Sequence, residues 1–212
     1  CINYTGDYMK PIIGIITRAT TTNENNIMYG VYDSLARSIK ESGGVPIGIL
    51  PSSIKDIDLS LIDGLIFQGG DDFTDYEREL LLLAHKNNIK TLGICLGMQL
   101  MGTMFNGSII DVENHKYKDK NYVHKVILKE DSTLYKIFKQ KEIMVNSRHK
   151  SALKNTSLSV IGISDDGVIE AIEDKNKDFF LGVQWHPETM ITYDKLQQEL
   201  FNYFVNICRR PV

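Results

Sequence analysis

The 212-residue sequence has few cysteines, little net charge and no long apolar run. Its three cysteines, Cys1, Cys95 and Cys208, are an odd number without CxxC spacing. That pattern argues against a disulfide framework or a zinc site and predicts a reducing, cytoplasmic environment. A formal net charge of −3 gives no reason to expect nucleic acid or an anionic membrane as a partner. No apolar run approaches the roughly 20 residues that span a bilayer, and no apolar signal-peptide core follows the first residue.

Composition and length are those of one globular domain. Hydrophobic residues make up 42% of the chain and charged residues 24%, and no repeat or linker interrupts it. We therefore expect a single domain over residues 9–212. The sequence begins without an initiator methionine, so Met9 is the expected natural start, and residues 1–8 are expected to be an upstream or vector-derived segment.

Short apolar runs alternate with helical periodicity in the first half of the chain. Strands are predicted at residues 11–17, 45–50, 65–67 and 91–95. Apolar repeats from Tyr29 to Ile39 and from Tyr76 to Ala84 predict the intervening helices. This alternation predicts an α/β fold with a central, mostly parallel sheet flanked by helices.

The second half of the chain contains shorter strand-like segments. They lie at residues 123–129, 142–146, 158–163, 168–173 and 179–183, with a hairpin signal at Asp165-Asp166-Gly167. We expect them to add antiparallel strands to the sheet. A final apolar repeat from Leu196 to Cys208 predicts a packing helix, with Cys208 in the core.

Cys95 is a candidate nucleophile because it stands between a predicted strand and a predicted helix. A nucleophile on such a sharp turn needs small neighbours, and Gly93 and Gly97 meet that need. The amide dipoles of the following helix favour the thiolate. Ligands bind at the carboxyl ends of the strands in open α/β sheets, where Cys95 and Gly69-Gly70 are neighbours if their strands pair.

His186 is the candidate general base and acid that would complete this chemistry. Glu188, two residues later, would orient the imidazole and stabilise its charged form. The backbone amides of Gly70 and Leu96 are the natural donors to a developing oxyanion. Among the other histidines, His149 ends a strand in a polar cluster, where a site role and a structural role are equally consistent with the spacing. A solvated face is expected for His85, and no clear role for His115 and His124.

Three motifs together carry a family resemblance: Gly69-Gly70-Asp71, the segment 93–99 and the segment 182–188. They resemble the class I glutamine amidotransferase superfamily, whose fold is flavodoxin-like. Within it, the segments 32–51, 145–149 and 166–171 resemble the γ-glutamyl hydrolase branch. The resemblance implies cleavage of a γ-glutamyl amide through a thioester, on a small γ-glutamyl substrate, without metal or organic cofactor. The residues that it assigns are Cys95, His186 and Glu188 as the catalytic set, Gly70 and Leu96 at the oxyanion, and Gly69, Gln99, Ser147, Arg148 and His149 at the substrate.

Two features of this sequence bear on the substrate and leave alternatives open. Only 24 residues separate Gly70 from Cys95, a short loop more like that of the amidotransferases. Lys150 beside Arg148 either favours an acidic leaving group or is part of a solvated surface. The sequence thus predicts a stand-alone γ-glutamyl amide hydrolase, or a glutaminase subunit that delivers ammonia to a synthase partner. A homo-oligomer is compatible with either, and the intact catalytic set argues against a silent binding protein on the same fold.

Overall fold

A nine-stranded mixed sheet forms the centre of the computed structural model, which describes residues 9–51 and 54–210. The predicted upstream segment, residues 1–8, lies outside the described residues. The strands are β1 Ile12–Ile16, β2 Arg18–Thr21, β3 Ile27–Gly30, β4 Val45–Ile49, β5 Gly64–Phe67, β6 Thr91–Ile94, β7 Ser108–Asp111, β8 His124–Leu128, β9 Glu142–Val145, β10 Ser151–Asn155, β11 Ser159–Ser164, β12 Ile169–Glu173 and β13 Phe180–Val183. The α-helices are α1 Asp33–Glu41, α2 Asp75–Lys86, α3 Leu96–Met104, α4 Thr133–Phe138 and α5 Lys195–Ile207.

The sheet has a parallel half and an antiparallel half. Its strand order is β4-β1-β5-β6-β13-β12-β11-β8-β9, and all pairings from β4 to β13 are parallel. The pairings from β13 to β9 are antiparallel. The α/β fold with a mostly parallel core is therefore confirmed, and β5 pairs with β6 as the crevice prediction required. One expectation was wrong: the segment 179–183 was expected to be only antiparallel, but β13 also lies parallel to β6.

The helices cover both faces of the sheet, because side chains of each buried strand alternate between the two faces. Ile13 and Ile15 of β1 pack with α1 and α5 on one face. Leu65 and Phe67 of β5 pack with α2 and α3 on the other. Cys208 is buried on the α5 face, as predicted, and burial raises the pKa of its thiol to about 12. Among the described residues, no helix combines the length and apolarity that a bilayer crossing requires.

The helix predicted to begin at Tyr29 begins instead at Asp33. Tyr29 belongs to β3, which forms a hairpin with β2, and Tyr32 is extended at the helix N-cap. Apolar periodicity was misleading here because Tyr29 and Tyr32 are both exposed and pack in no helical stripe. The short elements β2, β3, β7, β10 and α4 were not predicted at all, since four to six residues carry too little periodic signal.

Candidate active site

Cys95 occupies a strained turn between β6 and α3. Its φ of 52° and ψ of −104° are unusual for a residue with a side chain, and its N–H donates to the Val183 carbonyl at 2.8 Å. The turn requires close packing of α3 on β5, because a Cβ on Gly97 would lie 2.0 Å from the Phe67 carbonyl oxygen. The expected need for small neighbours thus has a specific cause: the backbones of the helix and strand touch.

His186 lies beside Cys95 because β13 and β6 are adjacent parallel strands. Its Nδ1 atom lies 2.7 Å from Oε1 of Glu188. Gly69, just past the end of β5, lies against both side chains. A Cβ at this position would be 2.7 Å from His186 Cε1 and 3.6 Å from Cys95 Cβ. The structure therefore brings together the thiol, imidazole, carboxylate and glycine turn that the sequence proposed, at the carboxyl ends of three neighbouring strands.

The electrostatics of this group favour a charged imidazole. Burial opposes protonation of His186, but the negative charges of Glu188 and of a Cys95 thiolate, together with their hydrogen bonds, raise its pKa well above the usual value. Glu188 is itself buried, with its second oxygen unpaired among the described residues. A charged imidazole beside the thiol is the environment that a nucleophilic cysteine needs, because it stabilises the attacking sulfur.

Asn146 fixes the backbone that carries the imidazole. Its side-chain amide donates to the His186 carbonyl at 2.9 Å and accepts from the His186 N–H at 2.9 Å. The amide also donates to the Thr189 hydroxyl at 3.0 Å. Sequence reasoning placed the segment around Asn146 at the cleft rim and missed this contact, because nothing local links residue 146 to residue 186.

Arg18 orients the glycine turn after β5. Its Nε donates to the Gly69 carbonyl at 3.0 Å and its Nη2 to the Gln68 carbonyl at 2.5 Å, while Nη1 forms a buried ion pair with Glu77. The N–H of a planar trans peptide points opposite to its carbonyl, so the N–H of Gly70 is directed away from Arg18. Arg18 was not predicted from the sequence, although it lies just past the end of β1, and site residues in such sheets lie at the carboxyl ends of strands.

Two glutamines connect the thiol to the cleft wall. Gln99 Nε2 donates to the Ser151 carbonyl at 2.7 Å and to Gln184 Oε1 at 3.2 Å. Gln184 Nε2 in turn lies 3.5 Å from Cys95 Sγ. Gln99 was predicted at the site and lines it, whereas Gln184 was missed. Strand alternation was the available signal, because residues 184 and 186 project on the same side of an extended chain.

A cleft of about 340 Å³ opens over Cys95 and His186. Gly70, Leu96 and Gln99 lie along it, as predicted. Its outer wall is cationic, and the four cations that line it are Lys116, Lys118, Arg148 and Lys150. Only one acidic side chain, that of Asp71, lines the cleft among the described residues.

A short antiparallel contact builds this wall. Lys116 and Arg148 form a bridge pair, and the His149 N–H donates to the His115 carbonyl at 3.0 Å. Side chains alternate across such a contact, so Lys116 and Arg148 face the cleft while Ser147 is buried behind it, donating to the His115 carbonyl at 2.6 Å. The structure therefore brings Arg148 and His149 to the cleft but not Ser147.

Behind the wall lies a buried cluster of three histidines and a glutamate. Its members are His115, His124, His149 and Glu170, and we refer to it as the histidine cluster. Burial lowers the pKa of His149 to about 4. Burial also raises the pKa of Glu170 to about 8, although His124 and His115 oppose the rise. His85, by contrast, lies elsewhere, half-buried against Asp174 at 2.8 Å.

The comparisons with known proteins agree with this fold. Residues 74–188 match the family model Peptidase C26. The chain is 31% identical to Protein NtpR of Enterococcus hirae over 93% of this chain and 99% of that protein. It is 29% identical to one subunit of the glutamine-hydrolysing GMP synthase of Archaeoglobus fulgidus, over 86% and 96% of the two chains. A solved glutamine amidotransferase from Thermotoga maritima superposes with a TM-score of 0.69 at 13% identity, covering 94% of this chain and 99% of that one.

The chain therefore has the glutamine amidotransferase fold and is a member of the class I glutamine amidotransferase-like superfamily. Within that class, the chain belongs to the Peptidase C26 family, whose members are expected to be cysteine-dependent hydrolases of amide bonds.

Proposed function

We propose that the protein hydrolyses the γ-glutamyl amide bond of a small γ-glutamyl compound and releases glutamate. The observation that carries the proposal is the arrangement of Cys95, His186 and Glu188 at the base of an open cleft. A buried structural cysteine needs neither a strained backbone nor an adjacent imidazole with a raised pKa. Cys95 has both.

The reaction proceeds in two half-reactions. The Cys95 thiolate attacks the γ-carbonyl carbon, and the carbonyl oxygen takes the negative charge between the N–H groups of Gly70 and Leu96. The intermediate collapses, the C–N bond breaks, and the His186 imidazolium gives its proton to the leaving amine. His186 then removes a proton from water, which attacks the thioester, and the C–S bond breaks to release glutamate and restore the thiolate.

The cationic wall supports an acidic leaving group. Arg148 lines the cleft, so its guanidinium group would pair with a carboxylate on the substrate. Lys116, Lys118 and Lys150 surround the same space. A leaving amine that carries a carboxylate would therefore bind more tightly than a neutral one of the same shape.

A matched pair of substrates tests this proposal. We expect γ-glutamyl-γ-aminobutyrate to be cleaved with a kcat/KM about tenfold above that of the γ-glutamyl derivative of γ-aminobutyramide, which replaces the carboxylate by an amide. Lys150→Gln should reduce this preference. Lys154→Gln, which alters an exposed lysine of β10 that does not line the cleft, should leave it unchanged. Equal rates on both substrates would contradict the preference for an acidic leaving group. Failure to cleave either substrate would contradict the proposed hydrolase activity.

A second candidate function is a glutaminase subunit that passes ammonia to a synthase partner. The similarity to the GMP synthase chain of Archaeoglobus fulgidus over most of both sequences favours it. Exposed apolar side chains of the β2–β3 hairpin, among them Ile27 and Met28, offer a partner surface, and Tyr29 on the same hairpin lines a space that continues to Gly70. Activity of the isolated chain separates the two candidates. Rapid turnover of γ-glutamyl amides supports the hydrolase, whereas glutamine turnover that depends on an added partner supports the glutaminase.

A further inference from the structure

The histidine cluster has an unusual set of distances. Glu170 Oε1 lies 3.5 Å from His115 Nδ1, 3.4 Å from His124 Nε2 and 3.5 Å from His149 Nε2. These separations are long for hydrogen bonds, which prefer 2.7 to 3.2 Å. They are close to the distance between two ligand atoms in a tetrahedral zinc site. That distance is about 3.3 Å when the metal–ligand bonds are about 2.05 Å long.

The polar atoms that face one another inside the cluster lack partners. His124 Nε2, His149 Nε2 and both carboxylate oxygens of Glu170 are buried without a hydrogen bond among the described residues. Glu170 is fully buried, and the His149 side chain is 2% exposed. Several orphaned polar atoms converging on one point are costly unless a ligand completes them.

One ring nitrogen of His115, Nε2, is hydrogen-bonded to a residue outside the cluster. Nε2 lies 2.9 Å from Asp166 Oδ2, so the N–H belongs on Nε2 and the lone pair on Nδ1 faces the cluster. Ser147 Oγ lies 3.2 Å from that Nδ1, but its hydroxyl proton is directed to the His115 carbonyl at 2.6 Å. A carboxylate that accepts the outer N–H of a histidine is the usual support of a metal-binding imidazole.

His149 and His124 are arranged in the same way. His149 Nδ1 lies 3.1 Å from the Ser151 carbonyl oxygen, and His124 Nδ1 lies 3.4 Å from the Lys125 carbonyl oxygen. His149 therefore donates outward and turns an unprotonated Nε2 toward Glu170, and the ring of His124 has the same orientation with a longer outward contact. Three histidines with lone pairs directed at one point cannot bond to one another, but they can bind a cation.

We propose that His115, His124, His149 and Glu170 form a divalent transition-metal site that binds Zn²⁺. Three imidazoles and one carboxylate are a ligand set that zinc accepts, and all four ligand atoms already lie within 4.8 Å of one another. On binding, the cation would replace the proton of Glu170 and pair with its carboxylate, which has no cationic side chain within bonding distance other than these histidines among the described residues. The absence of cysteine pairs, which argued against zinc in the sequence, does not bear on a site built from histidine and glutamate.

The site is structural and distinct from the reacting groups. It joins four parts of the chain: the two wall segments that carry His115 and His149, strand β8 through His124, and strand β12 through Glu170. Because His149 lines the cleft and Ser151 accepts from Gln99, a bound ion would fix the wall opposite Cys95. No step of the proposed reaction passes through the metal.

Metal content of the purified full chain tests the proposal without any activity assay. After incubation with Zn²⁺ and gel filtration, the protein should retain about one zinc per chain, and removal of the ion by a strong chelator should lower the Tm by about 5 °C or more. Replacement of the ion by Co²⁺ should give the intense visible absorption of a tetrahedral cobalt centre. A protein that retains no metal, or that gives an octahedral cobalt spectrum, would overturn the site.

Variants locate the ion. Glu170→Gln keeps the shape of the side chain and can donate to an unpaired histidine nitrogen, so it should fold while its zinc content falls at least tenfold. His124→Asn should lose zinc as well. His85→Asn, which removes a histidine bonded to Asp174 outside the cluster, should retain the wild-type zinc content. Full zinc retention in both cluster variants would place the ion elsewhere and contradict the proposal.

Discussion

The side-chain amide of Asn146 holds the backbone of His186 through two hydrogen bonds of 2.9 Å each, although the two residues are 40 positions apart. Asn146 is fully buried, so these bonds are shielded from water. The pair joins the end of β9, at the far edge of the sheet, to the segment that follows β13 in its centre. It makes the position of the imidazole depend on the antiparallel half of the sheet.

Asn146→Asp should lower kcat by about 100-fold, because the carboxylate cannot donate to the His186 carbonyl and would repel it, displacing the imidazole from Cys95. Steady-state kinetics on a γ-glutamyl amide measures the effect, with far-ultraviolet circular dichroism as the control for folding. An unchanged kcat in a folded variant would show that this clamp does not position His186.

Arg18→Lys should lower kcat by about 100-fold with a smaller change in KM. A lysine cannot donate to the carbonyls of Gln68 and Gly69 while also pairing with Glu77, so the Gly70 N–H would lose its fixed direction. Arg78→Lys is the matched control, since Arg78 is a partly exposed arginine whose nearest carboxylate is 3.8 Å away. Equal kinetics for the two variants would contradict a role for Arg18 in orienting the turn.

The protonation of His186 should depend on its two anionic neighbours. Glu188→Gln and a Cys95→Ser change that removes a thiolate each take away one negative charge, so each should lower the pKa of the imidazole. The double variant should lower it furthest, because neither charge then opposes the effect of burial. Nitrogen-15 chemical shifts of His186, followed through a pH titration, measure this directly. A pKa that does not move in Cys95→Ser would mean that no thiolate lies beside the ring in the wild-type protein.

Gly97→Ala should destabilise the fold by about 3 kcal/mol or prevent folding, since the added methyl group would overlap the Phe67 carbonyl. Thermal unfolding or urea denaturation gives the free energy of unfolding. Gly30→Ala is the control, because a Cβ on Gly30 has no atom within 4 Å. Equal stability of the two variants would contradict the backbone contact between α3 and β5.

The parallel core of the fold was predictable because its strands are buried on both faces and read as short apolar runs. Residues 12–16, 64–67 and 91–94 are such runs, and their alternation with helices is enough to define the sheet. The β2–β3 hairpin was not predictable, because its apolar residues are exposed and imitate a helical repeat near Tyr29. Strand β13 was assigned to the right segment, but its parallel partner β6 is set by long-range pairing that no local pattern encodes.

The candidate site likewise contains residues that could be predicted from the sequence and residues that could not. Cys95, His186 and Glu188 were found from short motifs and strand ends, which are local features. Asn146 and Arg18 were missed because their contacts span 40 and 51 positions. The histidine cluster is the extreme case, since His115 and His124 stand in an unremarkable polar stretch and meet Glu170 only after folding.

Covalent labelling with a diazo-ketone analogue of glutamine, followed by mass analysis of the peptides, tests whether Cys95 is the nucleophile. We expect an adduct on the peptide that carries Cys95, suppressed by a γ-glutamyl substrate and absent from Cys95→Ser, with buried Cys208 unlabelled. Labelling at another residue, or no labelling of a folded protein, would contradict the assignment of Cys95 as the nucleophile that recognises a glutamyl group.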